Sequence, residues 1–468
     1  MDELNVNPNA ADSANPDYLF TYSVSKGMGS YITNVDVQYW MLMNWTMYFA
    51  SFKGVDAGKE YQLNNGKDNL WSEIYSQSLI NAQEVIRFTK DDPSLVNKTS
   101  IARIWQVYLF QQLTDLFGNI PYSEALKGVD VLNYSPKYDV QSAIYYALLD
   151  KLKNAVSVMD SSKVSFPGNT DPVYNGSVNK WKAFANSLRL RLALRLRFVD
   201  PLRTQQEIAS LQGVVMIGSN SENTQFPYNG EIKNPLFELI SSGQSGGRNY
   251  PSKFLVDKLK STNDPRLKVF AEPTAESLLF GAPDWNGVPN LVPSGSPVWN
   301  SYNNDGSNVS LLGDWFKHQD APGVLMSYAE VCFLQSEATL AGWWSGDAQL
   351  LFESGIRANM KSYTGSSITN SEINAYLSSV PAVSLENIIT QKWISFTYQN
   401  SYESYAEYRR TGYPAFTNYD GTFINQNIFP NRLTYPANEA TLNSVHYTES
   451  NANQGSDGVA TKVWWDGN

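Results

Sequence analysis

Apolar residues recur at helical spacing between Ile101 and Leu109. We call the helix that this spacing predicts the reference helix. Counting from Ile101, positions i, i+3, i+4, i+7, i+8 and i+11 are Ile101, Ile104, Trp105, Tyr108, Leu109 and Gln112. This spacing places them on one face of a helix, which predicts that the face is buried against a neighbouring element. Gly118 and Pro121 follow, so we expect the helix to end there on a left-handed residue.

The same periodicity predicts helices on both sides of this one. We expect them near 16–27, 30–50, 70–89, 139–160, 178–199, 324–342, 345–363, 369–378 and 384–410. Asp139 is expected to cap one of these helices, and Thr369 with Glu372 is expected to form a capping box. Successive helices in antiparallel pairs favour a short α-solenoid.

The character of the sequence changes between Pro201 and Gly323. Gly, Pro, Asn and Ser are frequent there, with short helices near 203–211, 234–241 and 252–260 and a strand-like piece at 214–217. Packed domains seldom carry so much irregular chain without using it. We therefore divide the chain into a flexible tether (1–14), a first scaffold part (15–200), a loop-rich ligand-binding lobe (201–323) and a second scaffold part with the tail (324–468).

Composition points to neutral ligands. Charged residues make up 17% of the chain, below the roughly 25% that is usual for soluble proteins, while aromatic residues reach 13%. The polar surface must therefore depend on Asn, Ser, Thr, Gln and Tyr, which suit hydroxyl-rich molecules. The net charge of −10 disfavours binding to nucleic acid and to anionic membranes, both of which attract clustered cations.

One basic cluster needs a separate explanation. It consists of Arg189, Arg191, Arg195, Arg197 and Arg203. At 100° per residue these side chains do not form a single stripe, so we expect them to pair with neighbouring carboxylates rather than with phosphates.

The sequence contains few residues that could bind a metal or act as a thiol. Cys332 is the single cysteine, and His318 and His446 are the two histidines, whereas a structural zinc site needs about four such ligands. We expect no cofactor, and we expect Cys332 to be a small core residue. No run of about 20 apolar residues occurs, and no apolar signal core follows Met1. The protein is therefore either cytosolic, or its targeting segment has been removed.

The end of the reference helix resembles a family signature. Asp115-Leu116-Phe117-Gly118-Asn119-Ile120-Pro121-Tyr122-Ser123-Glu124-Ala125 is similar to the signature of SusD/RagB-type nutrient-binding outer-membrane lipoproteins, closest to the SusD-like type 2 branch. Further segments agree in order: Pro136–Asp139, Tyr174–Gly176, Trp181–Arg191, Ser327–Val331, Gly355–Ile356 and Phe429–Pro436. The resemblance covers nearly the whole chain. Its motifs determine how the helices pack and do not identify ligand-binding residues.

The resemblance implies a fold and a function. The fold would be mostly α, a tetratricopeptide-like scaffold of helical pairs with a large loop-rich lobe. The protein would be a non-enzymatic, surface-exposed outer-membrane lipoprotein that captures oligosaccharide or polysaccharide. It would deliver this cargo to a SusC-like TonB-dependent transporter. Because no cysteine lies near Met1, we expect that a signal peptide and a lipid-attachment cysteine have been removed, and that any membrane contact is through that lipid.

Family members place aromatic platforms in regions that correspond here to 51–69 and 248–315. A sugar needs a flat ring over its apolar face and amide or charged groups around its edge. About 1 kcal/mol per stacking contact would give millimolar to micromolar affinity. We rank the candidate ligand-binding residues in three groups: Trp285, Trp299 and Tyr302; then Tyr250 with Arg248 and Asn249; then Tyr61 with Asn64 and Asn65. We expect structural roles for Trp315, Trp343, Trp344, Trp464 and Trp465.

Other functions are open at this point. A peptide-capturing relative of the same family fits the same motifs. An all-helical glycosidase would need two carboxylates about 5–9 Å apart, and 45 acidic residues make some such pair certain to exist. A helical-repeat interaction scaffold would bind peptide in a concave groove, but it has no need of a loop-rich lobe.

Overall fold

The computed structural model of the protein is mostly α-helical and describes residues 14–54, 65–127, 133–244, 249–416 and 429–466. The first helices are α1 (Pro16–Gly27), α2 (Tyr31–Thr33), α3 (Met43–Trp45), α4 (Gly66–Glu73), α5 (Ile80–Thr89), α6 (Val96–Phe117), α7 (Gln141–Val158) and α8 (Val178–Arg195). Wider π-helical turns, Asn34–Leu42 and Ile74–Leu79, continue α2 into α3 and α4 into α5. The predicted helix near 30–50 therefore ends at Trp45. The tether 1–14 lies outside the described residues, except for residue 14.

Short helices and then long ones make up the rest of the chain. The short ones are α9 (Pro201–Ser210), α10 (Pro235–Ser241), α11 (Lys253–Ser261), α12 (Leu267–Phe270) and α13 (Ala275–Leu279). They are followed by α14 (Tyr328–Leu340), α15 (Ala348–Ser362), α16 (Asn370–Leu377), α17 (Leu385–Ser395), α18 (Ser401–Thr411), α19 (Glu439–Leu442) and α20 (Ser444–Gln454). The predicted capping box of Thr369 and Glu372 is present at the start of α16. The single helix predicted over 384–410 is wrong, because the chain breaks between α17 and α18.

The strands are short and form antiparallel pairs. They are β1 (Phe49–Ala50), β2 (Ile120–Pro121), β3 (Tyr138–Asp139), β4 (Thr224–Phe226), β5 (Tyr250–Pro251) and β6 (Gly323–Met326). β1 pairs with β5, β2 with β3 and β4 with β6. The strand-like piece at 214–217 is irregular, which corrects that prediction. Asp139 does not cap α7; its carboxylate accepts hydrogen bonds from the N–H and hydroxyl of Ser123.

Helix α6 lies at the centre of the fold. Ile101, Ile104, Trp105 and Leu109 are fully buried, as the apolar face predicts. The opposite sides of the helix are buried too, because α1, α5, α7, α8 and α18 all pack against it. The largest core cluster extends from Phe20 to Trp465 and draws residues from each scaffold part and from the lobe. The boundaries near 200 and 323 stay a prediction.

Gly118 lets the tail of the chain approach the end of α6. Its φ is +81°, a backbone conformation that favours glycine. A Cβ at this position would lie 1.9 Å from Oε1 of Gln454 in α20. That oxygen accepts a hydrogen bond from the Asn119 N–H at 2.6 Å, and Gln454 Nε2 donates to the Phe117 carbonyl at 3.2 Å. The glycine thus allows α20 to satisfy backbone groups that α6 leaves open.

A buried ion network joins the two parts of the scaffold. Its cations are Arg191, Arg195, Lys392 and Arg410, and its anions are Asp115, Glu330, Glu337, Glu403 and Glu407; each side chain is at most 6% exposed. Arg191 of α8 bonds both carboxylate oxygens of Glu330 in α14 at 2.7 Å. Arg195 bonds Glu403 at 2.6 Å and also contacts Glu407, while Arg410 bonds Glu337 at 2.7 Å.

The arginine cluster is therefore structural, as the sequence predicts. Arg189 pairs with Glu207, Arg197 with Glu337 at 3.0 Å, and Arg203 with Asp150 at 2.9 Å. Arg191 and Arg195 pair with carboxylates of the network, so every member of the cluster has a carboxylate partner. These guanidinium groups are occupied within the protein.

Water is excluded from the network, so its charges depend on one another. Burial raises the pKa of Glu407, but Arg410, Lys392 and Arg195 lower it by more, so the pKa lies well below the usual range. For Glu330, burial outweighs Arg191 and Lys392, and the pKa is raised. Removal of one charge leaves its partners buried without compensation, and such a loss costs about 3–5 kcal/mol.

We predict that Arg195→Met lowers the free energy of unfolding by about 3–5 kcal/mol, because Glu403 and Glu407 each lose a partner. Urea unfolding followed by circular dichroism measures the change. The matched control is Arg87→Met, which removes a partly exposed i,i+3 pair with Glu84 and should cost about 0.5 kcal/mol or less. Equal losses in the two variants would contradict the role given to the network.

Candidate ligand-binding site

The two loop regions predicted to hold the ligand meet in the structure. Strand β1 lies directly before the first region and pairs with β5 in the second, with Phe49 opposite Pro251 and Ala50 opposite Tyr250. The Ser252 N–H donates to the Tyr48 carbonyl at 3.0 Å, and the amide of Asn290 donates to the Phe49 carbonyl. The residues directly before the first loop are thus fixed onto the loop-rich lobe.

Behind this junction lies a small hydrophobic core that contains two of the predicted platform residues. Trp299 is 6% exposed and Tyr302 is 7% exposed, and both pack with Ala50, Val288, Val292 and Val309. The Trp299 indole N–H donates to the Pro293 carbonyl at 2.7 Å, and the Tyr302 hydroxyl donates to the Gly287 carbonyl at 3.0 Å. Burial raises the pKa of Tyr302 to about 12. Their ring faces are covered by protein.

The expectation that these two rings are exposed is therefore wrong. Turn-forming residues surround Trp299 and Tyr302 in the sequence, but the loop folds back and builds a core of its own around them. Trp285 differs, because it is half-buried and its indole N–H donates to the Ala271 carbonyl at 2.9 Å. Part of its surface faces solvent, so its role as a platform stays a prediction.

Two half-buried rings lie at the surface of this small core. The centroids of Phe52 and Tyr250 are 5.5 Å apart, and Phe52 meets Trp299 edge-to-face at 6.1 Å. Lys53 lies beside them, with its ammonium 5.5 Å from the Phe52 ring centroid and in contact with the exposed amide of Asn304. The side-chain oxygen of Asn249 accepts a hydrogen bond from the Trp40 indole at 3.3 Å. We call this set, Phe52, Lys53, Asn249, Tyr250 and Asn304, the Phe52–Tyr250 surface.

The structure places the other predicted site residues as follows. Asn65 is exposed just before α4, and no hydrogen bond joins it to the Phe52–Tyr250 surface within the described residues. Tyr61, Asn64 and Arg248 lie outside the described residues. Phe52 was missed by the sequence reasoning, although it is an aromatic residue directly before Lys53 and Gly54 at the start of the first loop. Its position at the start of the loop was the signal in the sequence that could have identified it as a site residue.

The side chains of this surface are of the kinds that recognise sugars. Ring faces, an amide rim and one ammonium group can cover the apolar face of a sugar and bond its hydroxyls. Cys332 is buried, and burial raises the pKa of its thiol to about 11, so it is a core residue as expected. Within the described ranges no three Cys, His, Asp or Glu side chains are grouped to hold a metal ion. No described helix is both long enough and apolar enough to cross a membrane.

Comparison with protein families decides the family. The model of the SusD-like family, described as "Starch-binding associating with outer membrane", matches residues 8–436. The chain belongs to the SusD-like family. This confirms the resemblance found in the sequence, and with it the tetratricopeptide-like fold class and the association of the family with glycan binding and the outer membrane.

Solved structures agree with this assignment. A chitin-binding protein is 29% identical with a TM-score of 0.87, over 97% of this chain and 100% of the other. A SusD-like protein from Bacteroidetes AC2a is 26% identical with a TM-score of 0.84, over the same shares of the two chains. A SusD homologue from Bacteroides uniformis is 25% identical with a TM-score of 0.80, over 97% and 100%. No curated protein matches the sequence significantly.

We predict that Trp299→Ala lowers the free energy of unfolding by about 3–5 kcal/mol, as expected for an aromatic side chain removed from a packed core. The change is measured by chemical unfolding. Phe280→Ala is the control, since Phe280 is 80% exposed in the same lobe and its removal should change stability by about 0.5 kcal/mol or less. A Trp299→Ala protein as stable as the control would restore Trp299 as a surface platform.

Proposed function

We propose that this SusD-like protein captures oligosaccharides at the cell surface and delivers them to a SusC-like TonB-dependent transporter, without catalysing their hydrolysis. The observation that carries the proposal is the Phe52–Tyr250 surface, where the two loops predicted from the family converge. The family description and the chitin-binding name of a relative at 29% identity support a glycan as the cargo. The lipid anchor and the transporter are proposed from the family resemblance.

The geometry of the surface supports weak and reversible binding. Phe52 and Tyr250 are neighbours at 5.5 Å with an angle of 43° between their rings, so they present two differently tilted faces. Aromatic rings held by a core lose little conformational freedom when a ligand stacks on them. About 1 kcal/mol for each ring and modest net hydrogen bonds correspond to millimolar to micromolar affinity. Such affinity lets a capture protein release its cargo to a transporter.

The polar groups around the rings support a neutral ligand. Asn304 is exposed, and the amide nitrogen of Asn249 is buried without a hydrogen-bond partner in the described part of the chain. The exposed amide of Asn304 can donate to, and accept from, sugar hydroxyls. Lys53 adds a charge-assisted donor.

We predict that Phe52→Ala and Tyr250→Ala each weaken glycan binding about fivefold, because each removes one stacking contact of about 1 kcal/mol. Calorimetric titration with chito-oligosaccharides and malto-oligosaccharides measures the dissociation constants. Tyr134→Ala is the matched control, since Tyr134 is 83% exposed in a different part of the chain. Melting temperatures of all variants establish that a loss of binding is not a loss of folding.

Several results would overturn the proposal. Retention of a peptide library together with no affinity for any glycan of a broad panel would favour the peptide-capturing alternative. Turnover of a glycan that is abolished by one Asp or Glu substitution would favour a glycosidase. Unchanged affinity in both Phe52→Ala and Tyr250→Ala would remove the Phe52–Tyr250 surface as the site. Co-purification with the transporter from cells producing both proteins tests the partner separately.

A further inference from the structure

A cavity separate from the Phe52–Tyr250 surface lies between the first helices of the scaffold and the end of the loop-rich lobe. Tyr39, Tyr108, Gln112, Tyr228, Tyr398 and Tyr402 line it, and we call it the tyrosine cavity. Among the described residues that line it, none carries a charge. Its lining shares no residue with the Phe52–Tyr250 surface. A space enclosed by phenol and amide groups selects for a neutral polar guest.

The tyrosines around the cavity remain protonated. Burial raises the pKa of Tyr108 to about 12. Burial also raises the pKa of Tyr402 and of Tyr228, and in both the neighbouring Tyr108 raises it further. Tyr108, Tyr228 and Tyr402 all line the same small cavity. Each can donate one hydrogen bond and accept another, which matches the requirements of an amide.

Two polar atoms that belong to lining residues have no partner within the protein. The hydroxyl of Tyr398, a residue only 3% exposed, and Oε1 of Gln112 are buried, and neither makes a hydrogen bond to any described residue. Tyr398 also has a φ of +57°, which is unusual for a residue other than glycine. A buried polar group without a partner costs about 1–3 kcal/mol, so these atoms need a guest or water.

The tyrosine cavity adjoins a larger cleft. Trp315, Ala321 and Pro322 line both spaces, and the outer cleft has a volume of about 510 Å³. Trp315 is half-buried, and its indole N–H donates to the Thr364 carbonyl at 3.1 Å, which fixes the ring between the two spaces. We call the outer space the Trp315 cleft. Charged groups, among them Lys268, Asp314 and Asp320, line this outer cleft but not the cavity.

The sizes of the two spaces differ in a way that restricts the ligand. The tyrosine cavity has about 50 Å³, room for roughly four water molecules at about 10–15 Å³ each, and too little for a sugar ring. The outer cleft has room for one or two rings. An acetamido group has four heavy atoms, a carbonyl acceptor, an N–H donor and a methyl group. Met28, Leu236 and Val324 supply apolar lining for that methyl group.

We propose that the Trp315 cleft and the tyrosine cavity form a second binding site, for N-acetylated sugars, with the ring against Trp315 and its acetamido group among the tyrosine hydroxyls. This inference rests on the proposed function, since it specifies a class of glycan. It assigns Tyr228 and Tyr402 to recognition of the acetamido group.

The test compares chitotriose with cellotriose, which have the same linkage and differ only in whether the second carbon of each ring carries an acetamido or a hydroxyl group. Calorimetric titration should show tighter binding of chitotriose. Tyr228→Phe and Tyr402→Phe, which keep the rings, should each weaken chitotriose binding about three- to tenfold and leave cellotriose unaffected. Tyr22→Phe is the matched control, because Tyr22 is 42% exposed and its hydroxyl bonds Gln77 instead.

The outcomes separate this inference from the proposed function. If chitotriose binding depends on Phe52 but not on Tyr228 or Tyr402, or if the two trisaccharides bind equally, the cavity holds water only and the inference falls while the proposed function stands. If chitotriose depends on Tyr228 and Tyr402 but not on Phe52, the inference stands and the Phe52–Tyr250 surface falls. If no glycan binds, both fall.

Discussion

The buried ion network is the constraint on which the rest of this structure depends. Four cations and five anions are buried together, and they come from α6 and α8 in the first scaffold part and from α14, α17 and α18 in the second. Hydrophobic packing tolerates small shifts between helices, whereas buried charges are stabilised only when each meets its partner. The network therefore fixes the relative position of two parts of the chain that are about 140 residues apart or more in sequence.

This fixed frame positions the candidate ligand-binding loop. Tyr48, just before β1, stacks on Trp393 of α17 at 5.0 Å, and its hydroxyl donates to the Trp393 carbonyl at 2.6 Å. Phe49 stacks on Tyr398 at 4.6 Å, in the turn between α17 and α18. The helices that carry Lys392, Glu403 and Glu407 thus hold the residues directly before Phe52. The chain leaves the core at Phe52 with its direction already set.

Helix periodicity in the sequence predicts most of the helices. The features that it does not predict depend on contacts between residues far apart in sequence. The central helix was predictable from Ile101 to Leu109, but its burial on nearly every side depends on neighbours far away in sequence. The break between α17 and α18 has no glycine or proline to announce it: Tyr398 takes a positive φ, and Asn400 caps α18 by accepting from the Glu403 N–H at 3.1 Å. Side chains of α8 bond the irregular path at 214–217: Asn186 donates to the Val215 carbonyl at 2.9 Å, and the Ile217 N–H donates to the Ser187 hydroxyl at 3.0 Å.

The candidate site shows the same limit at the level of single residues. Exposure of an aromatic residue in a loop is not encoded by local spacing, because loops have no period from which a buried face can be read. Trp299 and Tyr302 differ from Phe52 and Tyr250 only in how the loop folds back over them. Since Phe52 meets Trp299 edge-to-face, the buried pair supports the half-exposed pair. Rings supported in this way are ordered before a ligand arrives, so stacking on them requires less loss of conformational entropy than stacking on rings free in solvent.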